Sequence, residues 1–190
     1  MTVSRWAPDA RERLETAALD LFAENGYEET TVAQIADRAG LNRATFFRHF
    51  ADKREVLFAG AEALRDLLVS AVADAPDSAA PIDAAVAGIE AAGAAIQEGG
   101  DLARRRQTII AASAELQERE LIKLASLASA LADELRRRGV PEPAASLTAE
   151  AGIAVFRIAF DRWILDPGQQ DFPQLIRESL EALKAVTAGQ

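Results

Sequence analysis

Apolar residues recur at helical spacing along almost the whole chain, and no segment shows strand-like alternation bounded by turn residues. Leu14, Ala18, Leu21 and Phe22 stand at i, i+4, i+7 and i+8, which predicts an amphipathic helix from about Pro8 to Glu24. Pro8 suits its first turn, and Asn25-Gly26 ends it. Thr31 and Gln34 have capping-box spacing and open a helix carrying Val32, Ile35, Ala36 and Ala39 that stops at Gly40. Asn42 caps a short third helix through about Arg48. Asp52 and Glu55 form another cap-like pair, predicting a fourth helix that runs to about Ala73. Beyond a Pro/Asp/Ser-rich break at Asp74–Pro81, helical sequence covers about 82–98, 101–138, 143–165 and 173–187. Gly99-Gly100, Gly139-Val140-Pro141 and Pro167-Gly168 separate these stretches.

Alanine, the best helix former, supplies 42 of the 190 residues. The expected fold is all-α with about nine helices: an N-terminal three-helix helix-turn-helix domain and a C-terminal helical bundle. The boundary falls near residues 50–56, giving domains 1–56 and 57–190. The chain has no cysteine and one histidine, His49, which excludes thiol chemistry and Cys- or His-cluster metal sites. No cofactor or metal is expected. The longest run without a charged residue is nine, Leu124 to Ala132, too short to span a bilayer. MTVSRWAPDARER holds no apolar signal-peptide core, so the expectation is a soluble, cytoplasmic protein without a membrane partner.

The net charge of -9 argues against a uniformly basic nucleic-acid binder, yet residues 38–54 carry Arg38, Arg43, Arg48, Lys53 and Arg54 against Asp52 alone. That is a local net charge of +4, enough to meet a phosphate backbone while the rest stays acidic. The island overlaps residues 31–50, TVAQIADRAGLNRATFFRHF, a capped helix, a tight turn and a second capped helix. In a helix-turn-helix the second helix enters the major groove. Ile35, Leu41, Phe46 and Phe50 fill its core with Leu21 and Phe22, leaving Arg43, Ala44, Phe47 and Arg48 for the outer face.

The stretch Ala18–Leu57, ALDLFAENGYEETTVAQIADRAGLNRATFFRHFADKREVL, resembles the TetR family of transcriptional repressors. The motifs that carry the resemblance are LF, the N-G-Y turn, TTV, IA, AG, TFFRHF and the acidic-Lys pair. The resemblance implies a homodimer with an N-terminal DNA-binding domain and a C-terminal domain for ligand binding and dimerisation. Its implied partners are a palindromic double-stranded operator and a small-molecule effector. By position, Arg43, Ala44 and Phe47 correspond to residues that reach base edges; Thr31, Thr45, His49 and Lys53 correspond to phosphate contacts. Arg43 is also suited chemically to bidentate contact with guanine. Lys53 is expected in the first turn of the fourth helix. Phe47 stands where the family usually has tyrosine, so it lacks a hydroxyl for phosphate and is either core or an apolar contact for a thymine methyl. Arg48 and Arg54 are DNA contacts or solvated charges, and His49 is a phosphate contact or a helix-end packing residue.

Residues 57–190 hold no histidine, cysteine, phosphate loop or spaced carboxylate motif, so no enzyme is expected. Ile153, Phe156, Phe160, Trp163 and Ile164 form one broad apolar stripe, and Leu175, Ile176, Leu180 and Leu183 another. With the family resemblance, both are assigned to a four-helix dimer interface, the rival being ordinary core. Arg157 interrupts the first stripe and either pairs with Asp161 or faces a ligand, beside Phe156. Arg104, Arg105 and Arg106 raise the same question, since three successive helical positions span about 200°. That region also resembles regulators such as the mycofactocin regulator, which sense fatty acyl-CoA, and this implies a hydrophobic or acyl-CoA effector. The many alanines allow either close helix packing or room for such a ligand. The function expected is a DNA-binding repressor released by that effector. A ligandless or partner-regulated helix-turn-helix protein, and a helical interaction protein that no longer binds DNA, are the rivals.

Overall fold

The computed structural model describes residues 9–165 and 171–189; the predicted roles of Pro8 and Pro167-Gly168 lie outside them. The described residues form nine α-helices and one 3-10 turn, with no strand among them. They are α1 (Ala10–Asn25), α2 (Val32–Arg38), α3 (Arg43–His49), α4 (Ala61–Ala73), α5 (Pro81–Glu98), α6 (Gly100–Ala111), α7 (Ala114–Arg137), α8 (Ala144–Leu165) and α9 (Phe172–Thr187). Two compact units result: residues up to Ala59 with Arg105–Arg119, and Gly60–Arg104 with residues from Glu120 onward. A division at 56/57 therefore leaves out the α6–α7 corner, which packs with the N-terminal unit.

In the first unit the local signals act as their chemistry dictates. The Asp9 carboxylate accepts from the Glu12 amide at 2.8 Å and starts α1. Gly26, at φ 83°, turns the chain out of that helix. Thr31 and Gln34 complete a reciprocal capping box at α2. Leu14, Ala18, Leu21, Phe22, Ile35, Ala36, Phe46 and Phe50 are all buried. Ile109, Ile110 and Leu116 are the buried apolar side chains of the α6–α7 corner.

Two predicted helices are divided. Asp52 does cap, accepting from the Arg54 and Glu55 amides at 2.8 and 3.1 Å, but the element it opens is the 3-10 turn Glu55–Phe58. The α-helix starts only at Ala61, after Gly60. The stretch 101–138 breaks at Ala112-Ser113, where the Ser113 amide donates to the Ile110 carbonyl and its own carbonyl accepts from Gln117. No Gly or Pro marks that corner. Ser113 is buried, and serine's readiness to act at helix starts suits it to the position.

The core of the second unit gathers Leu68 and Val72 of α4, Ala84, Ala85, Ile89 and Ala92 of α5, Leu131 and Leu135 of α7, Ala149, Val155, Ala159 and Trp163 of α8, and Phe172, Leu175 and Ile176 of α9. Small residues let the helices touch. A Cβ on Gly88 would lie 2.7 Å from the Leu68 carbonyl oxygen and 2.6 Å from Val72 Cγ2. One on Gly93 would lie 2.6 Å from Ile176 Cδ1, and one on Gly152 2.9 Å from Ile89 Cδ1. At these three positions small size serves close packing rather than room.

The two apolar stripes assigned to a dimer interface divide between this chain's own core and partly exposed positions. Trp163, Leu175, Ile176 and Leu180 are buried inside the chain's own core, and Ile153 packs with Leu127 and Ala128. Phe156, Phe160, Ile164 and Leu183 are half-buried against that core. The physical reason is that α8 is apolar on more than one side, so its stripe mixes an inner and an outer face. The outer face is Leu147, Ile158 and Leu165, which are 65, 53 and 83% exposed.

Gly88→Ala should lower stability by about 1–3 kcal/mol, because a backbone carbonyl cannot move aside for the new methyl. Urea denaturation followed by circular dichroism measures it, and an unchanged midpoint would contradict the close α4–α5 contact.

Candidate nucleic-acid interface

α3 divides sharply between inside and outside. The Asn42 side-chain oxygen accepts from the Thr45 amide at 2.8 Å and starts the helix. Phe46 then turns inward, its ring 5.6 Å from that of Phe50. Arg43, Ala44, Phe47 and Arg48 are left exposed, as their spacing implies. Phe47 is 51% exposed, and its ring meets the buried Phe46 ring edge-on at 5.5 Å and 84°. At about 100° per residue, the order around the helix is Arg43, Phe47, Ala44, Arg48, within an arc of about 140°.

The angle at which α3 is held depends on its turn. Gly40 has φ 66°, and the Leu41 amide closes the end of α2 by donating to the Ala36 carbonyl at 2.8 Å. From α1, Arg13 Nη2 donates to the Ala39 carbonyl and lies 3.5 Å from that of Gly40. Sequence patterns give no sign of this clamp, because its partners lie 26 and 27 residues away.

The basic island is much reduced by such partnerships. Lys53 is not in the first turn of a helix; it lies in the turn before Glu55, and its ammonium donates to the carbonyls of Tyr27, Thr30 and Glu28 at 2.7, 3.1 and 3.2 Å. The same ammonium stands 4.1 Å from the centre of the Tyr27 ring. Three carbonyls and a ring occupy the group expected to meet phosphate. Arg38 makes a two-pronged pair with Glu24 at 2.8 and 3.1 Å, which holds the Glu24 carboxyl below its ordinary range. Arg54 pairs with Asp52 at 2.5 Å and Glu115 at 3.1 Å. Its bond to Asp52, with the Glu55 and Arg54 amides, lowers the Asp52 pKa against the opposing effect of burial. Arg43 and Arg48 alone of the five make no hydrogen bond or ion pair among the described residues.

The other expected phosphate contacts are disposed variously. Thr31 is exposed, with its hydroxyl engaged by Gln34 in the capping box. Thr45 and His49 are half-buried on α3. His49 Nε2 is shielded, without a hydrogen-bond partner among the described residues, and its ring lies 6.4 Å from that of Phe50.

The three consecutive arginines diverge, and two of them leave the expected ligand site. Arg105 pairs with Asp20 at 2.6 Å. Arg106 donates to the Leu57 carbonyl at 2.6 Å and covers the Phe58 ring at 4.9 Å. Both therefore fasten the α6–α7 corner within the first unit, as Arg119 does through Glu55 at 2.5 Å. Arg104, Arg105 and Arg106 together span about 200° of the helix, so the three do not face one pocket. Arg104 belongs to the second unit, 4.2 Å above the Trp163 ring. Trp163 stacks on Phe172 at 5.1 Å, and Phe156 stacks on Phe160 at 5.9 Å while meeting Phe172 at 5.7 Å. Arg157 is exposed and forms no pair with Asp161.

A capped helix-turn-helix with an exposed, partly cationic second helix, followed by a separate helical unit, is the architecture of a transcriptional regulator. Residues 15–59 match the model of the bacterial regulatory proteins of the tetR family, and residues 79–188 match that of the MftR C-terminal domain. The chain belongs to the TetR family of transcriptional regulators, with a C-terminal domain of the MftR kind. It is 40% identical over 74 residues to the regulator TcmR of Streptomyces glaucescens, covering 39% of this chain and 33% of that protein. It is 36% identical over 67 residues to the transcriptional activator FasR of Mycolicibacterium smegmatis, covering 35% and 31%. These matches span about a third of each relative's length. Among solved structures, the Bacillus subtilis regulator FadR with stearoyl-CoA aligns with a TM-score of 0.63 at 19% identity, over 90% of this chain and 96% of that one. The complex of SmeT with triclosan aligns with 0.64 at 22% identity, over 91% and 90%. At such identities the structures establish the fold.

Lys53→Met should lower stability by about 2 kcal/mol, since a charged donor is removed from three turn carbonyls. Arg48→Ala, with no partner to lose, should change it by less than about 0.5 kcal/mol. Denaturant midpoints of the two variants give the comparison; equal effects would contradict the assignment of Lys53 to the turn.

Proposed function

We propose that the chain acts as a cytoplasmic, dimeric repressor that binds a palindromic operator and is released by a hydrophobic or acyl effector. The observation that carries the DNA-binding part is the exposed arc of Arg43, Phe47, Ala44 and Arg48 on α3, backed by the buried rings of Phe46 and Phe50. A side of this kind, about 140° wide, suits a helix lying in the major groove. Arg43 reads guanine, and Arg48, Thr31, Thr45 and His49 border the phosphates. Lys53 holds the turn behind them.

Dimerisation is assigned to the outer face of α8. Leu147, Ile158 and Leu165 lie within about 20° of one another around that helix, an exposed apolar line on a surface otherwise rich in charge. Two such faces, with the exposed Val186 of α9 nearby in sequence to the half-buried Leu183, build a two-fold interface. The effector reading is supported by the MftR-type C-terminal domain and by the stearoyl-CoA in the FadR structure. In this chain the matching chemistry is Arg104 over the ring of Trp163, which in turn meets the rings of Phe160 and Phe172. An effector favouring the state that cannot match both half-sites lowers operator affinity by population shift.

Selection of duplexes from a random pool tests this reading, and enrichment of inverted repeats is the expected result. On the selected duplex Arg43→Ala should cost about 1–3 kcal/mol per half-site and relax preference at one base pair; unchanged binding would remove Arg43 from the base contacts. Ile158→Glu with Leu165→Glu should give monomers by light scattering and weaken operator binding at least tenfold through loss of the second tethered half-site. A dimeric mass for that variant would place the interface elsewhere.

A further inference from the structure

We infer that α3 reads thymine methyl groups through an apolar patch made by Phe47 and Ala44, so that each operator half-site carries thymine beside the guanine read by Arg43. The inference rests on the regulator reading and specifies which bases are recognised. Four side chains of α3 face outward, and the middle two of the arc, Phe47 and Ala44, have no polar atom beyond the backbone. Phe47 is half exposed although the same helix buries Phe46 completely. A bare aromatic ring in water carries a hydration cost that burial against another apolar surface removes. The ring is also held in place: Phe46 meets it edge-on at 5.5 Å and 84°. A buried, well-packed ring therefore supports an exposed one and aims it outward.

The chemistry of the groove decides which partner this patch selects. Among the four bases, thymine alone presents an apolar group, the C5 methyl, on the major-groove edge. Cytosine and adenine offer amino donors there, which Phe47 and Ala44 cannot satisfy, and covering a donor without a partner is unfavourable. Arg43 lies about 40° from Phe47 around the helix, so the guanine and the thymine are neighbours within a base pair or two. The nearby cations Arg38, Lys53 and Arg54, outside α3, are engaged within the protein, so the polar groups of the arc are Arg43 and Arg48.

The test removes only the methyl. The duplex enriched from a random pool by the full-length wild-type chain is resynthesised with deoxyuridine in place of each thymidine in turn, which leaves base pairing and polar groove atoms unchanged. At the contacted position, uracil should weaken binding about fourfold in one half-site and more than tenfold in both, the effect expected for one buried methyl each. 5-Methylcytosine paired with guanine at that position should recover part of the loss relative to cytosine. Phe47→Ala should bring the thymine-to-uracil ratio close to one while its far-UV circular dichroism and melting stay those of the wild type; Phe47→Leu should keep most of the ratio. Enriched duplexes indifferent to uracil at every thymine, or a ratio unchanged by Phe47→Ala, would overturn the methyl assignment and leave the regulator reading standing. A chain that enriches no duplex overturns both.

Discussion

Backbone carbonyls at the ends of helices must find donors, and in this protein long cationic side chains supply them. The last turns of a helix leave carbonyl groups without intrahelical partners, and leaving them shielded and unmet costs as much as breaking a hydrogen bond. Arg13 serves the end of α2, Lys53 the turn between α1 and α2, and Arg106 the 3-10 turn at Leu57. Arg11 donates to the Ala59 carbonyl at 2.7 Å. In the second unit Arg138 does the same for α4, reaching the carbonyls of Val72, Ala75 and Pro76 at 3.1, 2.8 and 2.8 Å. Short helices joined by tight turns depend on these donors, because each has few intrahelical bonds of its own.

The same constraint governs what the recognition helix can present. Lys53 is held by turn carbonyls, and Arg38 and Arg54 by the carboxylates of Glu24, Asp52 and Glu115, so among the described residues Arg43 and Arg48 are the cations of the island without a hydrogen bond or ion pair. α3 is consequently a helix with an apolar centre and an arginine on each flank. The geometry of its support, from Gly40 through Arg13 to the Phe46–Phe50 pair, fixes where those flanks point.

How far the sequence discloses this depends on the range of each interaction. The caps at Thr31 and Asn42, the turn at Gly40 and the inward set Ile35, Phe46 and Phe50 are determined by residues within a few positions, and so are legible. The role of Lys53 is not, since its carbonyl partners lie 23 to 26 residues earlier and no spacing rule encodes them. The split at Ser113 carries only a weak local sign, a serine suited to a helix start without a Gly or Pro beside it. α8 shows a third limit: a helix apolar on two sides has one hydrophobic pattern but two destinations, and only the packed chain separates Trp163 from Leu165. Arg105 and Arg106 are adjacent in sequence, whereas each is placed by its own partner, Asp20 and Leu57.

The glycines of the second unit bear on how that unit can move. At Gly88 the backbone of α4 leaves no room for a Cβ, whereas at Gly93 and Gly152 the space is taken by the ends of isoleucine side chains. The α4–α5 contact at Gly88 therefore has little slack in the direction that joins the two helices, since dense interiors resist compression. What remains open to α5 is displacement along its own axis or rotation about it, the sliding seen in shear rather than hinge motions. A rearrangement within this bundle is therefore expected as a small register change, with the distance between α4 and α5 at Gly88 preserved.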